Sequence, residues 1–212
     1  MKKILSIDID YMMSPAIHIY DDWVDGHWVN ATVQWEMINR KMGFIPGSCV
    51  KRENYLLRIF ERALKNLDDP SQVVFRKNHH EILDTIGNCN DLVIDNVDHH
   101  HDIFYSGWNS PQSLNEGNWV WWLDREERVE KYRWFGNKNS EVYDKSMPFH
   151  CEYRQVFDRR YLPMSDPDFI FVCESPHWVP PECRVLFRKM QSHADIYFKG
   201  QELKNENNAK TS

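Results

Sequence analysis

The chain has eight glycines in 212 residues and no glycine cluster, so it lacks a glycine-rich ligand-binding segment. Its five cysteines (Cys49, Cys89, Cys151, Cys173, Cys183) form an odd set without C-x-x-C spacing. That argues against both a disulfide framework and a zinc site built from cysteines alone. Positive charge is also short: 26 Lys and Arg against 32 Asp and Glu leave a net charge of −6. No basic footprint for nucleic acid follows from such a balance. No apolar run approaches the roughly 20 residues a membrane span needs. The opening Met1-Lys2-Lys3-Ile4-Leu5 starts like a signal peptide, but Asp8 and Asp10 interrupt it. The chain therefore reads as soluble and cytoplasmic. It is rich in tryptophan, with nine residues, which serve as bulky core or as a peptide-binding surface.

Hydrophobic patterning predicts strands alternating with helices. Ile4 to Asp10 alternates apolar and polar residues and reads as a strand ending in two carboxylates. Val50 to Leu67 carries Leu56, Phe60, Ala63, Leu64 and Leu67 at helical spacing and is stopped by Asp68-Asp69-Pro70. Val73-Val74-Phe75 is a short strand leading into Asn78-His79-His80, after which Glu81 to Ile86 opens a helix. Leu92-Val93-Ile94 begins another strand that runs into Asp98. Trp119 to Leu123 and Val129 to Phe135 are further apolar runs, and Asp168 to Cys173 is the clearest buried strand. A last helix starts near Pro180-Pro181-Glu182, and the polar residues 201–212 read as a disordered tail. The pattern implies an α/β fold, a three-layer αβα sandwich with a mostly parallel central sheet. Ligands bind beyond the carboxyl ends of the strands in such folds.

Potential metal ligands recur where strand patterns end. Five of the ten histidines fall between His79 and His101. In Asp98-x-His100-x-Asp102, alternate residues of an extended chain converge on one side. Asp8 and Asp10 repeat that spacing at the end of the first strand. Clustered aspartates in a low-dielectric site repel one another unless cations neutralise them. Carboxylate and imidazole without thiolate suit Mn²⁺ or Zn²⁺, and six candidate ligands (Asp8, Asp10, His79, Asp98, His100, Asp102) are enough for two ions. Either His79 or His80 can serve. On an extended segment His99 and His101 point away from the ions.

These residues resemble the arginase (ureohydrolase) superfamily. Its D-x-H-x-D segment is matched by Asp98 to Asp102, and its S-x-D-x-D strand by Ser6 to Asp10 followed by Ser14-Pro15. Its isolated ligand histidine is matched by His79 or His80, and the family's His-x-[DE]-x-[LI] segment, matched by His79-His80-Glu81-Ile82-Leu83, favours His79. The motif order differs, because the S-x-D-x-D strand opens this chain, as in a circular rearrangement. A nearer resemblance is to a branch related to peptide arginases, carried by the Ile-Asp-Ile-Asp strand, a His-His-Glu segment and Gly117-Asn118-Trp119. The resemblance implies an arginase-like catalytic domain over residues 1–200 that holds two Mn²⁺ ions. It also implies conversion of arginine in a ribosomally made precursor peptide to ornithine and urea. Glu174, directly after the strand ending at Cys173, would hold the guanidinium, with Glu53 and Glu116 as alternatives. Asn118 would contribute to substrate binding. Asp102 or a nearby histidine, His101, would pass the proton to the departing amine.

Two other classes fit parts of the same pattern. Asp98-His99-His100 also matches the Asp-His-His run of DHH-type manganese phosphoesterases, whose glycine-rich substrate segment is missing here. A metal-stabilised module that binds a peptide through tryptophan is the non-enzymatic reading. An amide hydrolase of the arginase fold would more typically use a single Zn²⁺.

Overall fold

The computed structural model describes residues 1–12, 30–42, 53–103, 114–138, 140 and 149–211. Cys49, the Ser14-Pro15 pair and the start of the predicted Val50–Leu67 helix lie outside them. Six strands form one sheet: β1 (Lys2–Asp8), β2 (Val73–Arg76), β3 (Leu92–Val97), β4 (Val129–Phe135), β5 (Glu152–Val156) and β6 (Phe169–Cys173). Their order is β2-β6-β1-β3-β4-β5, and every pairing is parallel. The helices are α1 (Ala31–Met42), α2 (Glu53–Leu64), α3 (Ile82–Ile86), α4 (Trp119–Arg125) and α5 (Val185–Thr211).

The sheet separates two cores, which makes the molecule a three-layer αβα sandwich. Leu5, Ile7, Val97, Ile170 and Val172 face one side, covered by α2 and α5. In α2, Tyr55, Leu56, Ile59, Phe60, Ala63 and Leu64 form the buried stripe expected of a helix lying on a sheet. Phe60 is fully buried, so Phe60→Ala costs about 3–5 kcal/mol. Ile4, Ile94, Tyr132, Trp134, Phe169 and Phe171 face the other side and meet Ile82, Ile86, Trp119, Val120 and Leu123. Strands buried on both faces read as continuous apolar runs, which explains why β6 is the plainest in the sequence.

Several expectations need correction. The first strand stops at Asp8, and Ile9–Met12 form a 3-10 turn, because the Asp8 carboxylate accepts the Asp10 N–H at 2.9 Å. Of the two apolar runs with no assigned element, Trp119 to Leu123 forms most of helix α4 and Val129 to Phe135 is strand β4; apolar runs this short have no periodicity that separates a strand from a buried helix. Helix α5 continues through the polar stretch expected to be a disordered tail as far as Thr211. That stretch contains no proline and carries good helix formers (Glu202, Leu203, Lys204, Glu206, Ala209), so a helix anchored by Leu186, Phe187 and Met190 propagates. Helix α1 and strand β5 carry no clear sequence signal. In α1 Val33 and Met37 are exposed, and β5 is a polar edge strand. No helix among the described residues is long and apolar enough to cross a membrane.

Candidate metal centre

The register of the three central strands builds the site. Ile7 of β1 pairs with Val97 of β3, and Asp8 pairs with Cys173 of β6. Asp98, Asp8 and Cys173 therefore end adjacent strands at the carboxyl edge of the sheet. Ile4 and Phe171, which share strand faces with Asp8 and Cys173, pack into the core against Trp119. His79 enters from the turn after β2, in a 3-10 segment His79–Glu81 whose start is fixed by Asn78 N–H donating to Glu81 Oε1 at 2.9 Å. Phe171 stacks on its ring at 5.8 Å between centroids, and Trp119 packs at 5.0 Å.

His79 Nδ1 faces three carboxylates, 2.9 Å from Asp102 Oδ2, 3.1 Å from Asp98 Oδ2 and 3.3 Å from Asp8 Oδ2. Its Nε2 lies 2.7 Å from Ser6 Oγ. If Nε2 carries the proton and donates to Ser6, the Nδ1 lone pair points into three carboxylate oxygens. If Nδ1 carries it, one N–H serves three acceptors. A cation among these oxygens resolves both difficulties. Beside this group, His100 Nδ1 lies 2.8 Å from Asp10 Oδ2 and 3.9 Å from Asp98 Oδ1. The ligand atoms of His79, Asp98 and Asp102 lie within 4.8 Å of one another, as do those of Asp10, Asp98 and His100. The two sets share Asp98. Donors of carboxylate oxygen and imidazole nitrogen fit a hard or borderline divalent ion.

The charges are poorly compensated by protein groups. Asp8, Asp10, Asp98 and Asp102 are all nearly inaccessible, and among the described residues their ion pairs are with His79 and His100 alone. Burial and the charges of Asp102 and Asp8 push Asp98 up to about 7. Burial and Asp98 push Asp10 up to about 6, and burial and Asp10 raise Asp8. Burial disfavours a charged His100, yet Asp10 lifts its ring to about 10. His79 is likewise raised, against its own burial, by Asp102. Neutral donors orient the carboxylates: Asn96 Nδ2 to Asp98 Oδ2 at 3.2 Å, Trp119 Nε1 to Asp102 Oδ2 at 2.7 Å, and the Ser175 hydroxyl to Asp8.

The Asp98 to Asp102 segment is not the extended chain the sequence suggests. Asp98 Oδ1 accepts the His100 N–H at 2.8 Å, which bends it, and Asp102 has a left-handed backbone with φ of 52°. Aspartate tolerates this conformation, held here by Val120 N–H donating to the Asp102 carbonyl at 3.1 Å. The ligands converge through turns and not through strand alternation. His99 and His101 do turn elsewhere. His99 Nδ1 meets Asn137 Nδ2 at 2.7 Å; His101 Nδ1 accepts the Ile103 N–H at 3.1 Å, and its ring packs on Trp134. His80, the alternative ligand, stays outside the carboxylate groups, and its buried Nδ1 has no hydrogen-bond partner.

Glu174 follows β6 directly, its N–H donating to the Arg76 carbonyl at 2.9 Å. The thiol of Cys173 and the hydroxyl of Ser175 meet at 3.2 Å beside Asp8, while Glu174 acts electrostatically on Arg184. Glu53 pairs with Lys189 on the helical layer. Glu116 is the glutamate beside the cluster. It hydrogen-bonds to Trp178 and feels the charges of Asp8, His79 and His100. Burial and Asp8 push it up to about 7. Trp178 in turn packs against His100 at 4.7 Å between ring centroids. Asn118 holds the turn that carries Glu116, its Oδ1 accepting the Asn115 N–H at 2.8 Å. Sequence reasoning assigned no role to Ser175, Cys173, Asn96 or Trp178. Asn96 and Cys173 were findable as strand positions sharing the ligands' face. Ser175, in a left-handed turn with φ of 46°, and Trp178, brought in by a loop, were not. Comparison with protein families, curated proteins and solved structures finds no match for this chain.

Proposed function

We propose that the chain is a dinuclear manganese hydrolase that converts peptide-embedded arginine to ornithine and urea. The observation that carries this reading is the pair of ligand sets, His79-Asp98-Asp102 and Asp10-Asp98-His100, joined through Asp98, with Asp8 2.9 Å from the Asp10 backbone N–H. Four carboxylates with two neutral imidazoles match the charge of two divalent ions. When bound, such a pair supplies Lewis acidity and makes hydroxide accessible near neutral pH.

The chain's own residues supply the rest. Glu116 replaces Glu174 as the group that holds the substrate cation by charge-assisted hydrogen bonds, in place of the Trp178 donor or alongside it. A bound guanidinium favours the ionised carboxylate that burial and Asp8 disfavour. Trp178, against His100, offers an aromatic face to the same cation. Asp102 carries a proton from the attacking water toward the departing ornithine amine, with Trp119 Nε1 fixing its carboxylate. His101, tied to Ile103 N–H and packed on Trp134, is a positioning residue and not the proton carrier. The partner is the precursor peptide.

The test is to load the purified protein with Mn²⁺, supply arginine-containing peptides encoded near its gene, and follow mass and urea. The expected result is a mass loss per arginine equal to exchange of guanidine for amine, with stoichiometric urea. Intact cognate peptide with Mn²⁺ bound would overturn the substrate. Phosphate release from nucleotides instead would move the site to the phosphoesterase class.

A further inference from the structure

The same centre contains a third ligand set that the function above does not use. Asp8, His79 and Cys173 also bring one ligand atom each within 4.8 Å of one another. Cys173 ends β6 in register with Asp8 at the end of β1, so backbone pairing holds its position next to the carboxylate. Its thiol is fully buried and turned toward the cluster, 3.3 Å from the Lys77 carbonyl and 3.2 Å from Ser175 Oγ, whose hydroxyl also reaches Asp8. His79 belongs to both this set and the sulfur-free set with Asp98 and Asp102.

We propose that Asp8, His79 and Cys173 form an alternative coordination site that takes a thiophilic divalent ion such as Zn²⁺ or Co²⁺ in place of Mn²⁺. This rests on reading the cluster as a metal centre, and is independent of the arginine substrate. Hard Mn²⁺ is satisfied by carboxylate oxygen and imidazole and leaves the thiol protonated. A softer ion gains from sulfur: it binds the thiolate, and the thiol proton leaves to solvent. His79 is common to both arrangements, so the ion that arrives decides whether the His79 side of the centre carries a sulfur ligand. The protein then exists in two metallated forms with different coordination.

Co²⁺ reports the difference optically. Added to the metal-free full chain, Co²⁺ should give visible ligand-field bands together with an ultraviolet sulfur-to-cobalt charge-transfer band. In Cys173→Ser the charge-transfer band should be lost while the visible bands remain. Visible bands without the charge-transfer band in the wild type overturn the sulfur site and leave the metal centre standing. A band that survives in Cys173→Ser also overturns it, because another thiol is then responsible. Absence of every cobalt band overturns both readings. Should Cys173→Ser not fold, X-ray absorption of the Zn²⁺-loaded wild type decides: a sulfur scatterer at about 2.3 Å supports the site, and only nitrogen or oxygen at about 2.0–2.2 Å overturns it.

Discussion

Two groups of buried aspartate occupy this sheet, and they are treated in opposite ways. Asp95 on β3 is fully buried, and Arg133 on the neighbouring β4 grips it with Nε at 2.6 Å and Nη2 at 2.7 Å. The Met164 N–H adds a third donor at 2.6 Å, which ties the approach to β6 to the sheet. Three residues further along the same chain, Asp98 shares its space with Asp8, Asp10 and Asp102 and has no arginine or lysine partner among the described residues. The first carboxylate is completed by the protein, whereas the second set could hold a metal ion. Burial alone therefore does not mark a candidate site; burial without a lysine or arginine partner among the described residues does.

The largest expected effect comes from exchanging these roles by mutation. Asp98→Asn should abolish metal-dependent turnover, by more than the roughly 100-fold that losing an outer hydrogen-bonding partner costs. The metal-free protein should melt no lower than wild type, because one repulsive buried charge is gone. Asp95→Ala should do the reverse. It leaves Arg133 partly buried and unpaired and lowers stability by about 3 kcal/mol, with or without metal. Calorimetry of both variants in chelator and in Mn²⁺ checks the pair. Similar losses in chelator would erase the distinction between the two regions.

A pH titration sharpens the same contrast. Asp98 and Asp10 have folded pKa values of about 7 and about 6, above their ordinary 3.8. For groups raised in this way, the folded state binds more protons than the unfolded state in the interval between the two values. Their stabilising contribution is present below pH 4 and lost as pH rises through 6 to 7. His100, raised from 6.5 to about 10, continues that loss across its own interval. The melting temperature of the metal-free protein should therefore fall from pH 5 to pH 9. The increment from added Mn²⁺ should grow over that range, since ions bind the deprotonated ligands. A flat increment measured by scanning fluorimetry would detach the carboxylates from metal binding.

Much of this site was legible because its ligands terminate strands. Asp8, Asp98 and His79 follow apolar runs that any parallel sheet must bury, and spacing alone placed them at one edge. Asp102 was named correctly as a neighbour of the cluster, but for a geometric reason that fails. It arrives through a left-handed turn, held by bonds to α4, that residue spacing does not encode. The nearness of Glu116 to the cluster was illegible for a related cause. That residue lies in a turn fixed by Asn115 and Asn118, with neither strand nor helix to announce its direction. Glu174 was singled out because it directly follows the strand that ends at Cys173; there the side chains that meet beside Asp8 are those of Cys173 and Ser175.

That pair of glutamates supplies the next test. Glu116→Gln should lower kcat/KM for an arginyl peptide by about 100-fold, mostly through KM, the cost of removing one partner of a desolvated charge pair. It should leave Mn²⁺ affinity within a few fold. Glu174→Gln, whose carboxylate acts on Arg184, should leave both constants unchanged. Steady-state kinetics on the two variants separates a glutamate that holds substrate from one that only neighbours the site. Equal effects would return the substrate-binding role to the β6 end.

The smallest effect concerns how the protein aims a carboxylate it does not neutralise. Asn96 Nδ2 donates to Asp98 Oδ2 at 3.2 Å and to Tyr132 Oη at 3.0 Å, and Tyr132 donates onward to the His101 carbonyl at 2.9 Å. This chain runs from β4 through β3 to the Asp98–Asp102 segment and fixes which Asp98 oxygen faces His79. Asn96→Ala should weaken Mn²⁺ binding by about 10-fold, the lower range for a lost outer-shell partner. Tyr132→Phe, which keeps the Asn96–Asp98 bond, should weaken it less, although both variants lose a buried hydrogen bond worth about 1 kcal/mol. Titration calorimetry with Mn²⁺ distinguishes orientation from packing, since packing loss alone would lower melting temperature in both variants and leave affinity untouched. An Asn96→Ala affinity equal to wild type would mean that Asp98 is aimed by its turn with His100 alone, and the two aspartate regions would then differ only in the partner they lack.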